Sequence, residues 1–195
     1  MTLDRLRTLL AARVAGSYPF ELLRADQLPP GGLSRAAVLV PLYAHAGDPY
    51  VLLTLRRADL RRHAGQVSFP GGRIEPGEAP RDAALREAQE EIGLDPARVE
   101  IIGQLDETLV LATGFRLTPW VGVVPYPYPY LAHPGEVEAI LEVPIASLAR
   151  PGAHRTEEVE AYGERHLVHF YDLPAVTIWG ATARVLDQLI TLWSA

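Results

Sequence analysis

The 195-residue chain contains no cysteine, and all 18 of its basic side chains are arginine. The absence of thiols excludes disulfides, thiol nucleophiles and cysteine-ligated zinc together. The absence of lysine excludes a P-loop, whose lysine reaches the phosphates, and it excludes Schiff-base chemistry. Any phosphate held here must therefore meet arginine, backbone N–H groups or a metal. No run approaches the roughly 18 consecutive apolar residues needed to span a bilayer. The N-terminus, MTLDRLRTLLAARVAG, carries charges throughout and lacks the pattern of a secretory signal, so a cytoplasmic location is expected. A formal net charge of −6 disfavours non-specific association with nucleic acid or anionic membrane. What is present, 48% hydrophobic and 22% charged residues, is the composition of a globular chain. Its length suits one large domain better than two.

Leu3, Leu6, Leu9 and Leu10 recur at helical spacing after Thr2, an N-cap residue type, with Gly16 as the expected stop. A Pro/Gly-containing connection runs on to Leu33. Two strand-like runs follow, AAVLVPLY at 36–43 and YVLLTLR at 50–56, with a turn at Gly47-Asp48-Pro49. An irregular stretch then leads to Phe69-Pro70-Gly71-Gly72. Residues 80–92 read as a helix opened by Pro80 and closed by Gly93. Further strands are expected at 99–105, 119–124, 136–143 and 166–173. In 136–143, Val137, Ala139, Leu141 and Val143 share one face. A closing helix presents Trp179, Ala183, Leu186, Ile190 and Trp193 as a core-facing stripe. No repeat and no linker divides the chain. Strands with interspersed helices predict one α/β (α+β) domain over residues 1–195, a mixed sheet sandwiched between helices.

The stretch GGRIEPGEAPRDAALREAQEEIGL, residues 71–94, carries the chemistry. With Glu87 set at 0° on a helix turning about 100° per residue, Glu91 lies near ~40° and Glu90 near ~300°. Three carboxylates thus crowd one face, while Ala84, Leu85, Ala88 and Ile92 fall on the adjacent face, which is expected to pack on the sheet. Carboxylates at i and i+4 repel even in water, and more when partly buried, unless a cation sits among them. Hard oxygen donors of this kind suit Mg²⁺ or Mn²⁺. Pro76-Gly77 supports a tight turn that brings Glu78 toward the same face. On the wheel Arg86 points away from Glu90 and Glu91, toward a loop carboxylate. For any one of these glutamates alone, a solvated acidic face is the simpler reading.

The arrangement changes that. Gly72, Glu78, Arg86, Glu87, Glu90, Glu91 and Gly93, closed by Leu94, match the Nudix box over 72–94, and by them the chain resembles the Nudix hydrolases. At about 7% usage per position, seven such matches arise on the order of 10⁻⁸ per starting point. Ala88 departs, standing where the family usually has a larger aliphatic residue. The resemblance implies a mixed sheet between helices, with the box as loop–helix–loop. It implies Mg²⁺ or Mn²⁺ held chiefly by Glu87 and Glu91 with Glu90 nearby, and it includes Arg86 in the catalytic group. The implied reaction is metal-dependent hydrolysis of a pyrophosphate joining a nucleoside to a second group. The base, Glu90 or a distant carboxylate, stays open.

Just upstream stands LLTLRRADLRRHAGQVSFPGG, residues 52–72. Leu52-Leu53-Thr54, Arg56, Arg61, Gly65 and Phe69-Pro70-Gly71-Gly72 keep a spacing similar to the coenzyme A pyrophosphatase branch of that family. The branch splits coenzyme A into 4′-phosphopantetheine and adenosine 3′,5′-bisphosphate. Arg57 departs from its pattern, and His133-Pro134-Gly135-Glu136 lacks an expected asparagine. The implied substrate contacts are Arg56, Arg57, Arg61, Gly65, Gly71 and Gly72. Arg56, Arg57, Arg61 and Arg62 are cations suited to a phosphate beyond the metal. The alternatives are a solvated basic loop, or arginines paired with the acidic helix.

A Nudix enzyme for ADP-ribose or NADH, and a non-catalytic Nudix ligand sensor, are the competing functions; retention of every box glutamate argues against the sensor. The expected partner is a small molecule, not nucleic acid or membrane. Isologous homodimers are common and one is allowed for, though no segment marks its interface. Residues 124–130, VPYPYPY, read as a loop crossing a sheet edge. His166 and His169, three apart on a strand, face opposite ways and make a poor metal pair. His63 reads as structural.

Overall fold

The apolar run at 36–43 shows no polar alternation because the strand it forms is covered on both faces. The computed structural model, which describes residues 2–16, 32–60, 63–110, 114–161 and 164–195, places this run inside β1 (Ser34–His45). Ala37, Leu39 and Tyr43 point to one side, and Ala36, Val38, Val40 and Leu42 to the other. β1 pairs antiparallel with β2 (Asp48–Arg56) across the predicted turn, and parallel with β7 (Phe115–Val123). β3 (Val67–Ser68) and β8 (Val137–Pro144) add to β2, and β4 (Gly71–Arg73) to β1. β5 (Glu100–Gln104) and β6 (Thr108–Val110) add to β7, completing an eight-stranded mixed sheet.

Helices cover both faces, as the sequence predicts. On one, α2 (Pro80–Ile92) seats Ala83, Ala84, Ala88 and Ile92 on Ala37, Leu39, Tyr43 and Leu52. On the other, α1 (Leu3–Ala11) contributes Leu6 and Leu10, and α3 (Ile145–Ala149) contributes Ile145 and Leu148. α4 (Gly180–Ser194) adds Ala183, Val185, Leu186 and Leu189 to the same face. Among the described residues no helix is long and apolar enough to cross a membrane.

Three expectations are corrected. First, the strand expected at 166–173 does not join the main sheet. It lies in β10 (Glu164–Asp172), between β9 (His154–Ala161) and β11 (Thr177–Trp179) in a second, three-stranded sheet. β9 escapes sequence reading because Arg155 to Glu160 are all exposed, which leaves no apolar alternation to detect. Second, α1 stops at Ala11, well short of Gly16. Arg13 turns out to Asp106 at 2.5 Å, and the same carboxylate takes the Gly16 N–H, so tertiary contacts unwind the last expected turn. Third, Trp179 precedes α4 and is 47% exposed, so the buried stripe begins at Ala183.

Leu39 is fully buried between β1 and α2. Leu39→Ala is expected to cost about 2–5 kcal/mol by opening a cavity beneath the helix. The measurement is a lowered urea midpoint at unchanged m-value; a cost below about 1 kcal/mol would show that α2 is not seated on this face.

Candidate active site

The position of α2 is fixed at both ends. Pro80 opens it, and Gly93 closes it in the left-handed region at φ 67°. The Gly93 N–H donates to the Gln89 carbonyl at 3.0 Å, and the Leu94 N–H reaches back to Ala88 at 3.4 Å. The next carbonyls would be orphans. Instead Glu91 O accepts the His133 N–H at 2.8 Å, Ile92 O the Leu131 N–H at 3.0 Å, and Gly93 O the Tyr128 hydroxyl at 3.0 Å. The VPYPYPY stretch and the residues after it are thus a clamp on the helix end, and Tyr126 stacks on Tyr43 at 4.7 Å. The loop was legible in sequence; its grip on α2 was not.

Before α2, Pro76 and Gly77 (φ 83°) form a turn closed by Glu78 N–H to Glu75 O at 3.1 Å. As expected, this returns Glu78 to the helix. Arg86 Nε donates to Glu78 Oε1 at 2.9 Å, its Nη1 to Glu87 Oε1 at 2.9 Å, and its Nη2 to the Arg73 carbonyl at 3.0 Å. Arg86 does not point away from Glu90, contrary to the wheel reading: Nη1 lies 3.4 Å from that carboxylate. The two residues are i and i+4, and a long guanidinium bridges that spacing easily. Arg86 is held firmly charged by the Glu78 hydrogen bond, and Glu78 is lowered by the same contact.

Glu91 is 3% exposed. Its Oε1 accepts from Arg56 Nη1 at 3.2 Å and its Oε2 from the Gly71 N–H at 3.3 Å. Burial nevertheless pushes its carboxyl up to about 7, with the charges of Glu87 and Glu136 acting in the same direction. Glu87 is likewise raised by burial, opposed by Arg86. The glycines are steric requirements. A Cβ on Gly72 would lie 2.6 Å from both Glu87 carboxylate oxygens, and one on Gly71 would collide with the Ala37 carbonyl and Val38. Glu90 stands exposed at the rim. Glu136, just before β8, lies 3.5 Å from Arg56 and is a member of the cluster that nothing in the box announces.

Around this point Glu78, Glu87, Glu90, Glu91 and Glu136 face two guanidinium groups, Arg56 and Arg86. The all-oxygen donor set, the excess of negative charge and the space kept open by Gly72 fit a hard divalent cation. Beside it opens a cleft of about 830 Å³, between β1 and β7 on one wall and β10 and the start of α4 on the other. Arg56, Gly71 and Gly72 line it, while Arg165, Trp179 and Arg184 lie on the far wall. Arg57 forks onto Asp59 at 2.9 and 2.7 Å and also donates to the Pro134 carbonyl. Gly65 (φ 67°) turns the loop back so that its N–H meets the Arg57 carbonyl. Neither Arg57 nor Gly65 lines the cleft. Arg61 and Arg62 fall outside the described residues. His63 lines the cleft and pairs through Nδ1 with Gln66 at 2.8 Å.

A NUDIX domain model matches residues 33–163. The uncharacterized Nudix hydrolase NudL of Cronobacter sakazakii is 41% identical over 173 residues, 87% of this chain and 88% of the relative. The protein of the same name from Escherichia coli (strain K12 / DH10B) is 39% identical over 156 residues, 80% of each chain. Among solved structures, the MutT/nudix family protein from Enterococcus faecalis superposes with a TM-score of 0.56 at 16% identity. It covers 100% of this chain and 70% of that one, a likeness in fold.

Gly72→Ala places a methyl group against the Glu87 carboxylate. The expected result is a loss of about 10- to 100-fold in Mn²⁺ affinity by calorimetric titration, with the thermal midpoint little changed. Unchanged affinity would mean that Glu87 does not need that space.

Proposed function

Since this chain belongs to the Nudix hydrolase family, we propose that it hydrolyses the pyrophosphate bond of coenzyme A or its derivatives, releasing 4′-phosphopantetheine and adenosine 3′,5′-bisphosphate. One observation carries this reading. Arg56, Gly71 and Gly72 stand in the coenzyme A-type motif at 52–72; the first two bond the buried Glu91, Gly72 lies against the half-buried Glu87, and all three line the cleft. Motif and box therefore meet at one place. The cleft falls within the several-hundred-Å³ size of small-molecule sites, with apolar walls and a few charged groups.

Glu87 and Glu91 would hold Mg²⁺ or Mn²⁺, with Glu90 at the rim. When bound, the ion neutralises pyrophosphate oxygens and lowers the pKa of a water. The protein's own groups do the rest. Arg86 fixes Glu87 against Glu78, and the Gly71 N–H fixes Glu91. Arg56, braced by Glu91 and Glu136, presents a preorganised donor to the substrate phosphates; Arg61 is the further contact that the motif implies, whereas Arg57, forked onto Asp59, and Gly65 stand off the cleft. The attacking water's oxygen bonds to one phosphorus as the bridging P–O bond breaks, and two phosphate monoesters leave. The base that takes the water's proton is Glu90 or a carboxylate outside the box, for which Glu136, 3.5 Å from Arg56, is a candidate.

Arg56 engaged with Glu91 and Arg57 with Asp59 favour a second reading, in which this run serves structure and the substrate is ADP-ribose or NADH. Product analysis with coenzyme A and Mg²⁺ or Mn²⁺ separates them. The expected result is both products, absent with chelator, and slower turnover of dephospho-coenzyme A, ADP-ribose and NADH. Equal or faster cleavage of ADP-ribose would overturn the coenzyme A assignment.

Glu87→Gln and Glu91→Gln are each expected to lower kcat by about two to three powers of ten or more, the equivalent of several kcal/mol of transition-state stabilisation. Circular dichroism should show the fold retained. Near-normal turnover in both variants would remove the metal from the mechanism.

A further inference from the structure

Away from the box, three elements bring together side chains that the proposed reaction does not use. His154 comes from β9, His169 from β10 and Asp187 from α4. Their donor atoms all lie within 4.8 Å of one another. His154 Nε2 is 3.0 Å from His169 Nδ1, and the two rings are nearly parallel with centroids 5.2 Å apart. Asp187 reaches to 3.7 Å from His154 Nδ1 through Oδ1, and to 3.7 Å from His169 Nδ1 through Oδ2. Strand register explains the convergence: His154 stands opposite Tyr171, and His169, two residues earlier, shares the Tyr171 face. Tyr171 packs against the His154 ring at 4.9 Å.

As a hydrogen-bonded network this arrangement is incomplete. Two imidazole nitrogens 3.0 Å apart share one proton at most, and both Asp187 contacts are too long for hydrogen bonds. His169, meanwhile, is 7% exposed, so water does little to complete its partners. An ion with metal–nitrogen and metal–oxygen distances of about 2.0–2.2 Å needs donors about 3 to 4 Å apart; taking one atom from each residue, the three donors lie within 4.8 Å of one another, so small side-chain rotations bring them to that spacing. Two imidazoles and one carboxylate select an ion of intermediate softness over Mg²⁺. The chemistry is therefore opposite to that of the all-oxygen box.

We propose that His154, His169 and Asp187 form a second metal site, for Zn²⁺ or an ion of its class, that fastens the three-stranded sheet to α4. The sheet has reason to need it. Arg155 to Glu160 of β9 are exposed, and among the described residues β9 pairs with β10 alone. His169 also lines the cleft, so the clasp would hold that wall in place.

The test uses the full chain carrying Glu87→Gln and Glu91→Gln, in excess Mg²⁺, so that the box does not take the probe. Zn²⁺ is titrated against a chromophoric chelator, and Co²⁺ is added separately for its visible absorption. One equivalent of Zn²⁺ per chain is expected, with Co²⁺ bands of a low-coordinate nitrogen–oxygen site and a rise in Tm on Zn²⁺ addition. His154→Gln and Asp187→Asn, both at half-buried positions, should each weaken Zn²⁺ by at least about tenfold while leaving the metal-free Tm near its starting value. No stoichiometric Zn²⁺, or equal affinity in both variants, would overturn the site and leave the three residues as a polar clasp.

Discussion

The burial of one carboxylate organises the site. Glu91 is almost wholly removed from water, and its two partners come from different strands: Arg56 at the end of β2 and the Gly71 N–H at the start of β4. Both strands pair with β1, so the sheet topology is what delivers them to α2. The partners do not fully offset burial. The carboxyl is raised from 4.5 to about 7, so in the metal-free protein its contribution to stability is lost as pH rises through that interval. A divalent cation reverses the sign by favouring the charged form. The fold thus carries an electrostatic deficit at Glu91 that a divalent cation would relieve, so the pairing with Arg56 is weak evidence for stabilisation on its own.

Closeness is the second constraint, and it follows from the first. A carboxylate can be held at the sheet end only if the backbone there comes very near the helix. Gly71 fits against the Ala37 carbonyl, and Gly72 against Glu87, where any side chain would intrude. The same need for proximity explains the grip on the far end of α2. The Glu91 and Ile92 carbonyls are tied to the backbone of residues 131–133, and Gly93 is tied to Tyr128. A shift of α2 along the sheet would break the Arg56, Gly71 and His133 contacts of Glu91 at once.

Local signals made much of this legible in sequence. Helix 80–92 appears with the bounds expected, because Pro80, Gly93 and a 3.6-residue period all act within one segment. The return of Glu78 was legible for the same reason: Pro76-Gly77 dictates the turn. What stayed hidden depends on partners far apart in the chain. Glu136 enters the cluster through its pairing with Arg56, a contact that the branch-like stretch 133–136 does not reveal. β9 offers no period because neither of its faces is buried over most of its length. His154, His169 and Asp187 lie on three elements, so their meeting exists only in the tertiary structure. The Arg86 expectation failed for a different reason: Arg86 and Glu90, i and i+4, lie only about 40° apart on a helix turning about 100° per residue and so share a face, and it is Glu91, about 140° away, that lies off it.

The lack of lysine links these levels. Arginine is the only permanent cation available, and its planar fork binds carboxylates as readily as phosphates. Among the described residues much of that capacity is engaged internally: Arg7 with Glu100, Arg13 with Asp106, Arg57 with Asp59, Arg116 with Glu107, Arg155 with Asp172. A count of arginines at 56–62 therefore overstates the positive charge offered to a ligand. What the site gains instead is order. Arg56 and Arg86 are held by carboxylates before any substrate arrives, so neither must lose rotamer freedom on binding. Under the proposed function, a phosphate entering beside Gly71 and Gly72 would meet donors already in position, fixed by the carboxylates that would hold the metal. Arginine placement, glycine spacing and the box glutamates are in this sense coupled: Arg56 and the Gly71 N–H partner the buried Glu91, and Gly72 leaves the room that Glu87 occupies.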